Sequence, residues 1–431
     1  MRRVAFYTLG CKVNQYETEA MRELFMNRGD TVVEADEAAD IYVINTCTVT
    51  GMSDKKSRQV IRRFRRQNAE AVIAVVGCYA QIAPAEVMAI EGVNLVMGTH
   101  QRSRILDYLE GLGAEDRREV VSDIGKIREF EEMTVDRIEG RTRAFVKIQD
   151  GCDRYCSYCI IPYARGPVRS READNVVAEV ERLADKGFAE VVLTGIHVAS
   201  YGKDLKHGSL MDLIRRIDSL PGIRRIRLSS LEPTLMTAAF AEALSGCEKV
   251  CPHFHLSLQS GSDTVLARMN RRYDTAGYRE AVAVIRAHWP EAAITTDIIA
   301  GFPGETEAEF QETCAFVREM DFARVHVFGF SPREGTPAAV MEAQVPAEVR
   351  QSRVETLIAI SDSLTQSYLA RFLGRELRII VEASDPVNNR AEGLTDNYLR
   401  VLLPGTLPEV GTEQQVKVEG ISGDALVAVP V

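Results

Sequence analysis

Short apolar runs alternate with segments of helical periodicity through the first hundred residues. Runs rich in β-branched residues, VAFYTL, IYVINT and AVIAVVG, are separated by stretches whose apolar positions recur every three or four residues. Strands that alternate with amphipathic helices are typical of a parallel sheet with helices on both faces. The pattern therefore predicts a doubly wound α/β domain over residues 1–112.

A second alternation of the same kind begins with RAFVKI at Arg143 and ends with RVHVFGF. It contains six units of a strand followed by a helix, and parallel strands need such crossover connections. We predict a partial (β/α)6 barrel over residues 141–365. Between the two alternations, residues 113–140 are acidic and lack periodicity, which indicates a linker.

The end of the chain has a different pattern. A long helical stretch from about Pro346 to Phe372 is followed by five short β-rich runs, which Gly, Asn and Pro separate. About sixty residues of this kind predict a small C-terminal antiparallel β-barrel over residues 366–431. The predicted fold class is thus α/β with a small β-barrel appended.

Composition narrows the class of protein. With 45% hydrophobic and 26% charged residues the chain is typical of a globular protein, and its net charge of −10 argues against a uniformly basic surface. Neither a long apolar run nor a cleavable leader pattern is present, so we expect a cytoplasmic protein without a membrane segment. In a reducing compartment, nine cysteines indicate metal ligation or redox chemistry before disulfides.

Three of the cysteines lie in one loop after a predicted strand, as Cys152-x3-Cys156-x2-Cys159. Three thiolates can hold three irons of a four-iron cluster and leave the fourth iron open to a substrate's amine and carboxylate. A zinc site needs a fourth ligand, and the next histidine is only His197. The spacing favours an iron–sulfur cluster, with zinc or unligated core cysteines as the alternatives.

Three further cysteines, Cys11, Cys47 and Cys78, each follow the carboxyl end of a predicted strand. Such ends share one edge of a doubly wound sheet, so the three thiols can converge on a second site. The alternative is that they are small apolar side chains buried at strand ends. We interpret the remaining cysteines as packing residues; they are Cys247, Cys251 and Cys314.

A partial barrel carries its chemistry at the carboxyl ends of its strands. Polar residues and glycines at these ends are candidate cofactor-binding residues, although Ser, Asp and Gly also serve as caps and turn formers. The candidates are Thr194, Gly195, Ser229, Ser230, Glu232, His255, Gln259, Asp297, Gly301, Ser331 and Arg333.

One segment of the first domain is strongly basic. Val60, Ile61 and Phe64 interrupt it at helical spacing, which predicts a helix with one buried stripe and an otherwise basic surface. Such a surface can bind RNA phosphates by releasing counterions, or it can simply face water. The basic residues are Lys55, Lys56, Arg58, Arg62, Arg63, Arg65 and Arg66.

The sequence motifs around the cysteines resemble those of one protein family. TLGCKVNQYETE, INTCTVT, VVGCYAQ and QDGCDRYCSYCIIPYARG follow in the order of the methylthiotransferases, a family of the radical S-adenosylmethionine superfamily. The resemblance continues through SSLEP, HFHLSLQSGSD and DIIAGFPGET, and so covers nearly the whole chain.

The resemblance implies two [4Fe-4S] clusters, one on Cys11, Cys47 and Cys78 and the other on the Cys152 loop. It also implies that the candidate strand-end residues bind S-adenosyl-L-methionine, and that an external donor such as flavodoxin or ferredoxin supplies electrons. Tyr158, beside Cys159, would stack on the cofactor's adenine or shield the cluster from solvent.

The C-terminal segment AEGLTDNYLRV, residues 391–401, resembles the TRAM module, a small RNA-binding barrel. This implies RNA contacts by Asn397, Tyr398 and Arg400. From Ser367 onward, however, the chain has six Lys and Arg but nine Asp and Glu. To bind phosphates, the basic side chains would have to cluster on one side of the barrel. They are Arg371, Arg375, Arg378, Arg390 and Arg400.

Among the methylthiotransferases, GCKVNQYE, NTCTVT and GCYAQ look like the branch that acts on N6-threonylcarbamoyladenosine next to the tRNA anticodon. The implied reaction places a methylthio group on C2 of that adenine, with the tRNA anticodon stem-loop as partner. The alternatives are isopentenyl-adenosine in tRNA, an aspartate of a ribosomal protein, or a non-catalytic RNA-binding protein with zinc-bound cysteines. The sequence does not indicate an oligomeric state.

Overall fold

The computed structural model describes residues 1–136 and 142–431. The N-terminal domain contains one parallel sheet of order β2-β1-β3-β4-β5-β6, which confirms the doubly wound prediction. Its strands are β1 (Arg3–Thr8), β2 (Thr31–Val33), β3 (Ile41–Thr46), β4 (Val72–Gly77), β5 (Val93–Met97) and β6 (Arg118–Val120). Its helices are α1 (Lys12–Asn27), α2 (Gly51–Gln67), α3 (Cys78–Ile82), α4 (Pro84–Met88) and α5 (Ile105–Leu109).

Burial explains why these segments form their elements. Strands β3 and β4 are buried along their whole length, as expected for continuous apolar runs between two layers of helices. Helix α2 begins at the Thr50 cap, whose hydroxyl accepts a hydrogen bond from the Ser53 amide. Phe64 of its buried stripe stacks on Tyr42 at 4.3 Å between ring centroids, so α2 packs one face on the sheet and leaves the basic face outside.

The segment that the sequence assigns to a linker is partly built into this domain. Its residues Arg118–Val120 form β6 at the edge of the sheet, and Met133 and Val135 pack in the domain's core. A strand of three residues is too short to show a period, so the sequence pattern could not reveal it. The predicted boundary at residues 140 and 141 lies outside the described residues.

Six parallel strands and one short antiparallel strand form the core domain. Two sheets, β10-β9-β7-β8 and β11-β12-β13, are linked by bridges such as Leu231 to Leu256, which gives the predicted partial barrel. The strands are β7 (Arg143–Asp150), β8 (Arg169–Ser170), β9 (Glu190–Gly195), β10 (Arg225–Leu228), β11 (His253–His255), β12 (Ala293–Ala300) and β13 (Arg324–Gly329). The helices are α6 (Ile161–Arg165), α7 (Ala173–Asp185), α8 (Leu210–Asp218), α9 (Ala238–Ser245), α10 (Asp263–Arg268), α11 (Thr275–His288), α12 (Glu307–Met320) and α13 (Ala347–Ala370).

The last domain is a closed five-stranded barrel of order β14-β15-β16-β18-β17. Its strands pair antiparallel as predicted, except that β16 and β18 pair in parallel. The strands are β14 (Glu376–Asp385), β15 (Arg390–Thr395), β16 (Arg400–Pro404), β17 (Glu413–Ser422) and β18 (Ala425–Pro430). Short 3-10 turns elsewhere cover Arg102–Arg104, Ile124–Lys126, Val198–Ser200, Pro233–Leu235 and Pro337–Ala339.

The small barrel covers the amino ends of the core strands. Arg225, the first residue of β10, donates hydrogen bonds to the carbonyl oxygens of Leu394 and Arg378. The first residue of β12, Ala293, packs among the barrel's buried apolar side chains. The opposite, carboxyl ends of the core strands therefore remain available for chemistry. Among the described helices, none combines the length and apolarity that crossing a bilayer requires.

Candidate active site

The Cys152 loop is held in place by backbone contacts. Gly151 has a positive φ of 73°, and a Cβ there would overlap the carbonyl oxygen of Pro167. Only glycine therefore fits at this position. The Cys152 amide donates to the Gly166 carbonyl at 3.0 Å, and the Ser157 amide donates to the Met269 carbonyl at 3.0 Å. These anchors fix the loop between α6 and α10.

The three thiols of this loop lie close enough to affect one another. Burial raises the pKa of Cys152 to about 11 and of Cys159 to about 12, and the neighbouring Cys156 adds to both shifts. The Arg271 guanidinium donates a hydrogen bond to Cys156 Sγ at 3.2 Å. Because metal binding needs thiolates, loading this site must displace protons, and Arg271 stabilises the charge that results.

The second set of thiols converges from three strands, as predicted. Cys11, Cys47 and Cys78 follow β1, β3 and β4, which are neighbours in the sheet. At Gly10 a Cβ would lie 2.8 Å from Cys47 Cβ and 3.0 Å from Cys47 Sγ, so the two cysteine-bearing loops are in contact. Burial raises the pKa of Cys78 to about 12, and Cys47 and Cys11 also raise it, whereas Arg165 lowers it. Cys11 is exposed, so this set has one open side.

A buried charge network lies beside both sets of thiols. Arg165, at the end of α6, donates to Cys78 Sγ at 3.2 Å and to Glu17 Oε1 at 2.5 Å. Asp150, two residues before Cys152, accepts from Lys147 at 2.6 Å. The cations Arg102, Lys147, Arg165 and Arg169 pair with Glu17 and Asp150, and Glu131 joins at the edge.

The two buried carboxylates of the network, Glu17 and Asp150, are ionised at neutral pH. Burial alone would raise the pKa of Glu17, but Arg102, Arg165 and Lys147 lower it to about 2. The same kind of cation excess holds the pKa of Asp150 well below its ordinary value despite its burial. Both carboxylates are therefore ionised at neutral pH, and the surplus of positive charge faces the thiols. Such a surplus suits an anionic thiolate-bound group.

The donor sets fit iron–sulfur clusters. In the part of the chain that the structure describes, no three His, Cys, Asp or Glu side chains are spaced to share a single metal ion. The thiols of each set nevertheless influence one another, and a purely thiolate set is what an iron–sulfur cluster uses. A four-iron cube also holds its thiolates farther apart than one ion would.

Polar groups at the ends of β9 and β10 face the Cys152 loop. Glu232 pairs with Arg154 at 2.5 Å and with His197 at 3.3 Å. Burial alone would raise the pKa of Glu232, but His197 and Arg154 lower it to about 2. The buried Ser229 hydroxyl has no hydrogen-bond partner among the described residues. An unpaired hydroxyl beside paired charges fits a cofactor with an amino-acid end, such as S-adenosylmethionine.

Gln149 organises the floor of this region. A Cβ at Gly195 would lie 2.9 Å from Gln149 Oε1, and the buried Thr194 precedes that glycine. The Gln149 amide group donates to the carbonyls of Asp150 and Gly151 and accepts from the His197 amide at 2.7 Å. Gly195 is therefore required by close packing next to the loop.

Ser331 and Arg333 lie at the junction with the N-terminal domain. Arg333 donates to Asp54 Oδ2 at 2.5 Å and to Thr48 Oγ1 at 2.6 Å. Ser331 Oγ accepts from the Gly51 amide at 3.2 Å. Both side chains thus contact the segment that follows Cys47. These contacts hold the second set of thiols against the core domain.

Other candidates have structural partners. The Gly301 amide donates to Glu305 Oε2 at 2.8 Å, and a Cβ at Gly301 would meet the side chain of Arg350. Gln259 has a positive φ of 71°, and its amide donates to the Asp297 carbonyl at 2.8 Å. Tyr158 lies edge-on to Phe302 at 6.5 Å between centroids, inside the core near the loop.

A cavity of about 520 Å³ lies between all three domains. His255, on β11, bonds Thr295 Oγ1 at 2.9 Å and Asp297 Oδ2 at 3.2 Å along its wall. The ring of Tyr398 enters from the small barrel, with the Arg227 guanidinium 4.7 Å from its centroid. Residues of the wall include Lys12, Ser230, His255, Asp297, Asn397, Tyr398 and Arg400.

Two of the predicted RNA contacts, Asn397 and Tyr398, lie on the wall of this cavity, and Tyr398 is also exposed to solvent. The buried Asn397 bonds the hydroxyl of Tyr368 at 3.1 Å, and Tyr398 stacks on His253 at 4.7 Å between ring centroids. The arginines of the barrel do not form a free basic face, because each has an acidic neighbour. The pairs are Arg371–Asp321, Arg375–Glu291, Arg378–Glu413, Arg390–Asp385 and Arg400–Glu392.

The basic helix α2 differs from the C-terminal barrel, because several of its positive side chains are not paired with acids where the structure describes the chain. Arg58 pairs with Glu86, and Arg65 donates to backbone carbonyls, whereas Lys55, Lys56 and Arg62 have no ion-pair partner among the described residues. A second cavity, about 460 Å³, opens beside these lysines. Its wall consists of Leu9, Gly10, Met52, Ser53, Lys55, Lys56 and Gln59. The lysines thus lie beside the exposed side of the Cys11 site. Arg63 and Arg66 complete the helix surface without entering that wall.

Several functional side chains escaped the sequence pattern. Arg165, Arg271, Gln149, His197 and Lys12 contact thiols, the loop or the cavity, but none belongs to a spaced metal motif. The one usable signal is Arg165, a charged residue in the otherwise apolar segment IIPYARG. The three remaining cysteines are buried, which agrees with packing roles.

Comparisons with known proteins agree with this geometry. A model described as uncharacterized protein family UPF0004 matches residues 3–98, and the radical SAM superfamily model matches residues 146–317. The threonylcarbamoyladenosine tRNA methylthiotransferase MtaB of Bacillus subtilis (strain 168) is 46% identical, covering 97% of this chain and 94% of the relative. MtaB of Aquifex aeolicus (strain VF5) is 39% identical over 95% and 98%. The tRNA-2-methylthio-N(6)-dimethylallyladenosine synthase of Clostridium tetani (strain Massachusetts / E88) is 34% identical over 95% and 92%.

Solved structures show the same fold. The radical S-adenosylmethionine methyltransferase TsrM of Kitasatospora setae superposes with a TM-score of 0.56 at 18% identity, over 79% of this chain and 75% of that one. The cobalamin-dependent S-adenosylmethionine radical enzyme OxsB gives 0.53 at 11% identity, over 85% and 56%. At such identities the likeness concerns the fold alone.

The fold, the cysteine loop and the matched superfamily define a radical S-adenosylmethionine enzyme, a class that uses S-adenosylmethionine and a [4Fe-4S] cluster. Given 46% identity over nearly the full length of both chains, the chain belongs to the methylthiotransferase family of that superfamily. The resemblance seen in the sequence is thereby confirmed.

Proposed function

We propose that this enzyme attaches a methylthio group to C2 of N6-threonylcarbamoyladenosine next to the anticodon of tRNA. The observation that carries the proposal is the pair of three-thiol sets that share one buried charge network, with Arg165 bonded to Cys78 and Asp150 just before the Cys152 loop. The names of the MtaB relatives, at 46% and 39% identity, favour this substrate over others.

Cys152, Cys156 and Cys159 would hold the radical cluster. When bound there and reduced by an external donor such as flavodoxin or ferredoxin, this group supplies cleavage of the cofactor's C5′–S bond to a 5′-deoxyadenosyl radical. The chain's own part is orientation and charge. Ser229 and Glu232 lie where they can bind polar groups of S-adenosylmethionine, and Arg271 stabilises the Cys156 thiolate.

Cys11, Cys47 and Cys78 would hold the second cluster, whose chemistry is to supply the sulfur that a second S-adenosylmethionine methylates. Arg165 donates to one of these thiols and Ser331 and Arg333 fix the segment after another. Because a primary carbon radical attacks what lies nearest, both sites must open to one enclosed space. The cavity whose wall includes Lys12, the residue after Cys11, would lie next to that space.

The RNA would approach along α2. Lys55, Lys56 and Arg62, which have no ion-pair partner in the described part of the chain, can bind phosphates. Asn397, Tyr398 and Arg400 line the cavity into which the base must be flipped. In this arrangement the small barrel contributes to the base pocket rather than to a phosphate groove.

Anaerobic reconstitution and assay test the proposal. The loaded enzyme should contain about eight irons per chain, as two four-iron clusters require. With S-adenosylmethionine and a reductant, it should convert a stem-loop RNA bearing N6-threonylcarbamoyladenosine to its 2-methylthio form, detected by nucleoside mass spectrometry. Modification of a dimethylallyladenosine stem-loop, or of a ribosomal protein, in place of this RNA would contradict the proposal. So would zinc at the thiols.

A further inference from the structure

We propose that the cavity beside Lys12 is a carboxylate-binding subsite, and that Lys12 selects the substrate by pairing with the carboxylate of its threonylcarbamoyl group. This inference rests on the proposed function and names the residue that recognises the substituent. It concerns specificity, because Lys12 would contact the N6 substituent and not the C2 position at which a bond changes.

The position of Lys12 matches the chemistry of the base. In a purine, C2 and the carbon that carries N6 flank the same ring nitrogen, so an N6 substituent leaves the ring close to C2. Lys12 directly follows Cys11, and their Cα atoms are about 3.8 Å apart. A base that presents C2 to the Cys11 site therefore extends its N6 substituent toward Lys12.

The cavity is large enough for that substituent. Its volume of about 520 Å³ lies within the range of small-molecule pockets, roughly 300–1,000 Å³. Ser230, His255 and Thr295 supply polar atoms on the core side, and Tyr398 closes the barrel side. A threonylcarbamoyl group carries a urea, a hydroxyl and a carboxylate, and each needs a polar partner when it is buried.

Among the described residues that line the cavity, Lys12 is the cation left to pair with a ligand. Arg324 pairs with Asp424 at 3.0 Å, and Arg400 pairs with Glu392 at 2.5 Å. By contrast, the Lys12 ammonium forms no hydrogen bond or ion pair with any residue that the structure describes.

The remaining charges near Lys12 are internally paired or outnumbered. Asp297 pairs with His255 at 3.2 Å. Arg143 and Arg227 flank the ring of Tyr398, with Glu190 bound to Arg227 at 2.7 Å. The surroundings of Lys12 are thus more positive than negative, and they favour an anionic ligand.

This arrangement explains how one fold can distinguish two modified adenosines. A dimethylallyl group carries no charge, so in this cavity it would leave the Lys12 ammonium desolvated and unpaired. Sites built to bind a polar group reject analogues that lack it much more strongly than apolar pockets reject an extra methylene. Lys12 would therefore exclude the apolar substrate while binding the anionic one.

The methionyl carboxylate of S-adenosylmethionine is the other carboxylate that could reach Lys12, and the test separates the two sources. Binding of three stem-loop RNAs to anaerobically loaded enzyme is measured by fluorescence anisotropy. The first carries N6-threonylcarbamoyladenosine, the second its threonine carboxamide, and the third dimethylallyladenosine. The variants are Lys12→Gln, Lys12→Arg and, as a matched control on the exposed helix, Lys55→Gln.

For wild type we expect the carboxamide to weaken binding at least about thirty-fold, the loss for breaking a buried charge pair. Lys12→Gln should bind the RNA that carries the threonine carboxylate more weakly than wild type by the same factor. It should bind the carboxamide RNA as wild type does. Lys12→Arg should recover part of the affinity for the carboxylate RNA. Lys55→Gln should weaken all three RNAs equally. Cleavage of S-adenosylmethionine without RNA should be unchanged in Lys12→Gln.

Two results would overturn the inference. Lys12→Gln could still discriminate the acid from the carboxamide as wild type does, or it could lose cofactor cleavage instead, which would assign Lys12 to S-adenosylmethionine. Binding of the carboxamide RNA by Lys12→Gln shows that the variant is folded. If wild type discriminates the RNAs by charge but forms no methylthio product, the proposed function fails while the subsite stands.

Discussion

The two sets of thiols are built in opposite ways. Cys152, Cys156 and Cys159 lie within eight residues on one loop, which Gly151 and backbone hydrogen bonds hold. Cys11, Cys47 and Cys78 are more than thirty residues apart and meet only because β1, β3 and β4 are neighbours in a sheet.

This difference determines which structural changes should disturb each set of thiols. The loop set depends on its own turns and on contacts within the core domain, so changes in the N-terminal domain should leave it intact. The strand set depends on contacts between loops, on the junction with the core and on Arg165. Perturbations can therefore separate the two sites, and the predictions below are ordered by the size of the expected effect.

Loss of single thiols gives the largest separation. Cys156→Ala should abolish cleavage of S-adenosylmethionine, since two remaining thiolates do not hold the radical cluster. Cys47→Ala should leave cleavage intact but stop methylthio transfer. Chromatographic measurement of 5′-deoxyadenosine and mass spectrometry of the RNA check both. Equal loss of cleavage in the two variants would show that the division of labour is wrong.

Removal of Arg165 should weaken the whole junction between the domains. Arg165→Met leaves Cys78 without its buried donor and removes one of the three cations that pair with Glu17, and breaking a buried ionic network costs about 3–5 kcal/mol. We expect a marked fall in the Tm of the metal-free protein, measured by differential scanning fluorimetry. Arg271→Met, which removes the donor to Cys156, is the matched control and should spare the strand set. An unchanged Tm for Arg165→Met would contradict the network's role.

Thiol reactivity should differ between members of the strand set. Burial raises the pKa of Cys78 to about 12, so near pH 8 it stays protonated, whereas Cys11 is exposed. In metal-free enzyme we expect Cys11 to react with iodoacetamide roughly a hundredfold faster than Cys78, because the thiolate is the nucleophile. The Cys78 rate should rise with pH up to its pKa. Peptide mass spectrometry follows both sites, and equal rates at pH 8 would count against this burial.

Glycine substitutions give the smallest and most local test. Gly10→Ala puts a Cβ 2.8 Å from Cys47 Cβ at a φ of 108°, so the strand set should no longer close on its cluster. Bound iron should fall about twofold, as expected when one of two clusters is lost. Gly29→Ala is the control, because Gly29 has a φ of 90° but no atom within 4 Å of the added Cβ. If Gly29→Ala lost as much iron, backbone strain rather than the contact with Cys47 would be responsible.

Much of the architecture could be predicted from local pattern. The apolar runs of β3 and β4, the buried stripe of α2 and the six strand-and-helix units each carry a period that the backbone geometry imposes. The pattern missed β6, which is too short to show a period, and it missed the parallel pairing of β16 with β18. The chemistry of the Cys152 loop was visible because its spacing is local.

Partners distant in sequence could not be predicted. An RNA contact at Tyr398 stays a prediction, but the stacking of its ring on His253 and its contact with Arg227 at the cavity wall could not be read from the sequence. The pairing of Arg333 with Asp54 joins residues 279 positions apart, and that of Arg165 with Glu17 joins residues 148 apart.

The sequence by itself determined the order of the domains, the family and the six thiols of interest, because periodicity and short spacings are written into neighbouring residues. Only the tertiary structure decided which charges meet, which way the small barrel faces and that Lys12 lies at a cavity wall with no ion-pair partner among the residues described. The physical reason is that burial and electrostatic pairing depend on distances in space, and chain folding sets these distances independently of separation along the sequence.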